Sequence, residues 1–131
     1  MLHVDIPTQA EISSLLATRG DGCVSIYLET TPLTQQIDAA RTRLKQLTAD
    51  AVAQLTDGGA AKRAVWRIEE QLHDVIDDDT FWRMQANSLA LFVTADSLRS
   101  YRLPSHLTET VQVADRFHLK PLLRVLSMPQ H

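Results

Sequence analysis

Apolar and polar positions alternate through CVSIYLE. Val24, Ile26 and Leu28 point one way and Ser25, Tyr27 and Glu29 the other, the period of a half-buried strand that Thr30, Thr31 and Pro32 stop. Before it, Thr8 followed by Glu11 has the spacing of a capping box and predicts a short helix carrying Ile12, Leu15 and Leu16, ended by Gly20 and Gly22. From about Gln35 to Leu55 the period changes. Ile37, Ala40, Leu44, Leu47, Ala51 and Leu55 recur every three or four positions, which makes one stripe of a helix. Asp57, Gly58 and Gly59 break it, and a second stripe (Ala61, Ala64, Val65, Ile68, Leu72, Val75) predicts a helix from about Ala60 to Ile76. The pair reads as an antiparallel helical hairpin.

Beyond the acidic break Asp77-Asp78-Asp79, the segment SLALFVTADSLRSYRLP alternates again. It predicts two strands, with Leu89, Leu91 and Val93 in the first, Arg99, Tyr101 and Leu103 in the second, and Ala95-Asp96-Ser97 as the turn. Pro104 closes the pair, and a fourth strand is expected through Val111 and Val113. The sum is an α+β fold. A small, largely antiparallel sheet of about four strands carries the hairpin and the N-terminal helix, with helices on at least one face. A chain of 131 residues suits one such domain, residues 1–131, with one core.

Composition narrows the function classes. Thirteen Lys and Arg against sixteen Asp and Glu give a net charge of -3, so the chain as a whole lacks the electrostatic footprint of a free-standing nucleic-acid binder. Any nucleic-acid contact must be local. The single cysteine, Cys23, excludes an internal disulfide framework, fits a reducing cytoplasm and reads as a small core residue. MLHVDIPTQ lacks a basic region followed by an apolar stretch, and no window approaches the roughly 20 apolar residues of a membrane span, so a cytoplasmic protein without membrane contact is expected.

Candidate chemistry is sparse. Asp77-Asp78-Asp79 lacks calcium-loop spacing and reads as a helix boundary in which Asp78 or Asp79 caps a short turn that carries Phe81 and Trp82 as core anchors. His3, His73, His106, His118 and His131 are scattered without metal-ligand spacing; neither a metal nor another cofactor is expected. Ser25, Ser88 and Ser97 lie in no nucleophile elbow, and no glycine-rich phosphate cradle is present, so no catalytic residue is assigned.

Winding the helices at about 100° per residue separates their charged faces. Arg41 and Lys45 flank one side of the first stripe and Arg43 the other, a solvated helix with snorkelling stems. In the second helix Trp66 turns away from the stripe. Either it packs beneath the N-terminal helix or a loop, or it meets a partner. Lys62, Arg63 and Arg67 lie within a turn or two of Gly58-Gly59, which gives the hairpin tip local positive charge suited to phosphate.

Two longer runs, DDDTFWRMQANSLALFVTADSLRSYRLP and VADRFHLKPLL, resemble the close of the N-terminal domain in the bacterial and archaeal homologues of the archaeo-eukaryotic peptide-chain release factor. The resemblance extends back through SIYLETT and covers about residues 23 to 126. It implies an α and β domain in which a strand, a helical hairpin and further strands follow in order. It also implies a recognition domain working at the ribosome or on tRNA or rRNA, in termination, rescue or stress, beside its own downstream domains. Full members continue into two more domains, so the chain is expected to be a fragment or truncated member that ends at LSMPQH. The alternative is a protein-interaction or structural domain without RNA contact.

In release factors proper, the hairpin connection carries an Asn-Ile-Lys-Ser motif that helps read stop codons. Here the stretch is Gly58-Gly59-Ala60-Ala61-Lys62-Arg63, where Lys62 alone matches, and the Tyr-x-Cys-x-x-x-Phe element has no counterpart. Stop-codon reading is therefore not expected. The Gly-Gly-Gln loop of peptide release belongs to the family's middle domain, so peptidyl-tRNA hydrolysis would reside there. Lys62, Arg63, Trp66 and Arg67 become the expected RNA contacts. Arg116, Phe117, His118, Lys120 and Pro121 become an interdomain corner, with Pro121 fixing chain direction, Phe117 pinned to the core, and the three cations bonded to carbonyls or acids.

Overall fold

The computed structural model describes residues 3–127; Met1, Leu2 and residues 128–131, including His131 and the end of LSMPQH, lie outside the described residues. The helix α1 (Gln9–Ala17) opens with the expected capping box, in which the Thr8 N–H donates to Glu11 Oε1 at 2.9 Å and the Glu11 N–H to Thr8 Oγ1 at 3.1 Å. Strand β1 (Cys23–Glu29) follows, then a 3-10 turn at Thr34–Gln36 and the long helix α2 (Ile37–Asp57). A four-residue connection leads to α3 (Lys62–Ile76). Asp78 caps the short α4 (Asp79–Arg83), its carboxylate accepting from the Phe81 N–H at 3.1 Å. The hairpin β2 (Ser88–Val93) and β3 (Leu98–Leu103), then β4 (Thr110–Ala114) and a final helix α5 (Lys120–Ser127), complete the chain.

The sheet order is β3-β2-β1-β4 and every pairing is antiparallel. Strand β1 is central, with Ile26 opposite Leu91 on one side and Val111 on the other. Val24, Ile26 and Leu28 join Leu89, Leu91 and Val93 in a core against Leu44, Leu47 and Leu55 of α2 and Ile68 and Leu72 of α3. Cys23, Tyr27, Ala90, Phe92 and Tyr101 form a second core with Leu15 of α1, Phe117, Leu119 and Leu122. Helices thus cover both faces. The expectation of a half-buried β1 is corrected accordingly: Cys23 to Leu28 are all buried, because α1 and α5 close over the face that carries Ser25 and Tyr27. Leu16 is a second correction, since it is 49% exposed and only its neighbour Leu15 enters the core.

Two glycines answer to local geometry. Gly59 has φ 81°, a left-handed conformation that side chains resist, and it lets α2 end and α3 begin within four residues. A Cβ at Gly22 would sit 2.9 Å from Leu55 Cδ2, so glycine allows the chain entering β1 to lie against the hairpin. The hairpin is also stapled at its other end. Arg41 donates through Nε to the Ile76 carbonyl at 2.6 Å and meets Asp79 at 2.8 Å, which satisfies the C-terminus of α3 and anchors α4. Arg41 is therefore a tie between three helices and not a solvated stem. Arg43, on the other flank, forms a two-pronged pair with Glu109 just before β4, and this pairing holds the Glu109 carboxyl below its usual range.

Burial, against a smaller opposing effect of the Leu122 backbone, pushes the Tyr27 phenol well above its ordinary value; burial and then Glu11 raise Tyr101. Folding favours both neutral phenols, so above about pH 10 the unfolded chain releases protons that the folded chain keeps. Stability contributed in this way is intact below that pH and is lost as pH rises from it toward the raised values. Urea melts across the alkaline range are expected to show a steeper decline for the wild type than for Tyr27→Phe. Parallel declines would remove Tyr27 from this account.

Candidate nucleic-acid interface

The hairpin tip is built by the helix ends that meet there. The Gly58 N–H closes α2 on Gln54 O at 3.0 Å, and the Ala60 N–H reaches Leu55 O at 3.0 Å. Helix α3 then starts on Ala61, an N-cap without a side-chain acceptor, and its first turn contains no acid. Lys62 and Arg63 occupy that turn instead. A helix N-terminus is the positive end of the peptide dipoles and is ordinarily matched with carboxylates or a capping oxygen. Here two cations add to the same charge, which favours anions at the start of α3, while Asp57 and the C-terminus of α2 supply the opposite sign on the other arm of the tip.

Trp66, one turn later, is 60% exposed. It borders a shallow depression of about 220 Å³ with Thr56, Lys62, Val65 and Glu69, so its indole face is open and an acid lies at its margin. The alternative in which Trp66 packs beneath the N-terminal helix or a loop does not match this exposure. Arg67 stands apart from the other three. Its guanidinium lies 3.7 Å from Asp96 in the β2–β3 turn, beside a Gln71 Nε2 donation to Thr94 O at 2.8 Å. The structure brings Lys62, Arg63 and Trp66 to the tip and directs Arg67 toward the neighbouring turn.

The stretch from Arg116 to Pro121 is fixed by β1. Ser25 and Tyr27, two positions apart and hence on one face of the strand, take hold of both peptide groups of His118. The His118 N–H donates to Ser25 Oγ at 2.8 Å, and the Tyr27 hydroxyl donates to the His118 carbonyl. Phe117 is buried with its ring 5.4 Å from that of Phe92, and the His118 ring meets Tyr27 edge-on at 6.2 Å. Arg116 pairs with Asp115 at 3.3 Å, whereas Lys120 is exposed. Pro121 stands in the first turn of α5, where a missing N–H leaves no helical bond unmade. It turns the chain into a helix that packs back on the same sheet through Leu122, with Leu126 against the same core. That helix was not anticipated from the sequence, although Leu119, Leu122, Val125 and Leu126 have its period.

Cys23 lies in the second core; burial and then Asp115 push its thiol up, while Arg19 opposes. Among the described residues no three His, Cys, Asp or Glu side chains converge as a metal-binding group, and no helix is long and apolar enough to cross a membrane. No family model matches this chain, and no curated protein matches it.

Proposed function

We propose that this domain is a recognition module that meets RNA at the ribosome through the end of its helical hairpin. One observation carries the reading: an uncapped helix N-terminus holds Lys62 and Arg63 in its first turn and an open Trp66 one turn on. The two cations suit phosphate oxygens, and an exposed indole suits an unpaired base, a stack worth about 1–3 kcal/mol when made. The likeness of FWRMQ, YRLP and RFHLKPLL to the release-factor homologues supports the ribosome as the place of action, in termination, rescue or stress. Chemistry on peptidyl-tRNA would belong to a downstream domain.

The test is co-sedimentation with ribosomes across a salt series for the wild type and Lys62→Glu/Arg63→Glu. Both residues are exposed, so melting should be nearly unchanged while association falls. Removing two phosphate contacts should flatten the salt dependence by about one to two in log–log slope. Equal association at every salt concentration would remove the tip from the mechanism. It would also favour the second reading, a protein-interaction domain without RNA contact, which the Arg67–Asp96 pair and Glu69 beside Trp66 support.

A further inference from the structure

On the sheet face opposite the hairpin, α1 and α5 leave between them a cleft of about 750 Å³, more open than enclosed. Its charge is one-sided. Arg19, Arg116, Lys120 and Arg124 line it beside His118, and among the described residues no carboxylate does, in a chain where acids outnumber Lys and Arg sixteen to thirteen. The neighbouring Asp115 is already engaged by Arg116. Arg19 is held in place by donating to the Leu16 and Thr18 carbonyls at the end of α1, at 2.6 and 2.8 Å. Lys120 and Arg124 are one turn apart on α5, so their side chains share a side of the helix.

Between these cations the cleft is apolar. Leu16 from one wall and Leu123 from the other are 49% and 38% exposed, and both line the cleft. Leucines left open on facing helices, flanked by cations, define the complement: apolar side chains at helical spacing bordered by carboxylates. We propose that this cleft is a docking groove for an acidic amphipathic helical segment of a partner protein. Nucleic acid fits it less well, because Phe117 is buried, the His118 ring is held edge-on against Tyr27, and the exposed apolar surface is aliphatic, which provides a poor platform for a base. The inference is independent of the hairpin tip, which lies on the α2–α3 side of the sheet.

The experiment is fluorescence anisotropy with the full 131-residue chain and a fluorescein-labelled peptide of about 15 residues, Leu at helical spacing and Glu on both flanks. A peptide with Lys in place of Glu and a uridine oligonucleotide are the comparison probes. The Glu peptide is expected to bind saturably and the Lys peptide not to bind. Lys120→Glu/Arg124→Glu should weaken the Glu peptide about tenfold or more and admit the Lys peptide. Leu16→Ser, on the opposite wall, should weaken binding without changing charge, so the proposal does not depend on α5 tolerating two reversals; circular dichroism and melting serve as the folding control. Absence of saturable binding by the Glu peptide, equal binding by wild type and both variants, or displacement of the peptide by the oligonucleotide would each overturn the proposal.

Discussion

Replacing Trp82 with alanine is expected to cost roughly 3–5 kcal/mol, the usual range for emptying the site of a buried Trp or Phe. Trp82 is 2% exposed, packs edge-on against Phe81 at 5.4 Å, and lies in the core where α2, α3 and the sheet meet. Its indole N–H also donates to the Val75 carbonyl at 2.9 Å, so the truncation leaves a carbonyl near the end of α3 without that partner. For a domain of this size the melting temperature should fall by about 10–20 °C. Trp82→Phe retains much of the apolar area and loses the N–H bond, and should cost about 1–2 kcal/mol. Urea denaturation followed by circular dichroism measures both. A loss under about 1 kcal/mol for the alanine variant would show that the site collapses around the missing ring.

The second large effect is expected at Ser25 and Tyr27. Ser25→Ala/Tyr27→Phe changes little volume but removes the acceptor of the His118 N–H and the donor to its carbonyl. Each buried peptide group left without a partner costs about 1–3 kcal/mol. The loss should be local first. Hydrogen exchange at residues 119–126 should accelerate strongly, while β1, β2 and α2 keep their protection, because α5 is tied to the sheet through this one residue and a few apolar contacts. The proposed docking groove loses one wall when α5 opens, so peptide binding should weaken in the same variant. Uniform acceleration across the whole domain would indicate that α5 and the sheet form a single cooperative unit.

What was legible in the sequence divides along the range of the interaction involved. The capping box at Thr8, the two helical stripes, the Asp78 cap and the β2–β3 hairpin are written within a few residues, and each forms where its spacing places it. The hairpin tip was legible for the same reason, since Lys62, Arg63 and Trp66 are neighbours on one helix. Strand β1 was misread as half-buried because alternation reports polarity and not coverage. Ser25 and Tyr27 are polar at their tips, yet both are buried, their hydroxyls satisfied by residue 118 far along the chain. Helix α5 was hidden behind Pro121, which reads as fixing the chain direction at a corner and in fact stands in the first turn of a helix. The cleft was invisible because its walls come from residues 15–19 and 112–127, and only the sheet brings them together.

The strand order also sets an order of events during synthesis. Both neighbours of β1, residues 88–93 and 110–114, lie far downstream of it. The α2–α3 and β2–β3 hairpins join segments adjacent in sequence and close early, whereas the central strand has no partner until most of the chain exists. CVSIYL, buried on both faces in the finished fold, therefore leaves the ribosome as an unpaired apolar strand and stays unpaired while more than sixty further residues are added. A strand buried at the centre of the finished sheet is thus, in the nascent chain, an apolar segment exposed to aggregation or to capture by a chaperone.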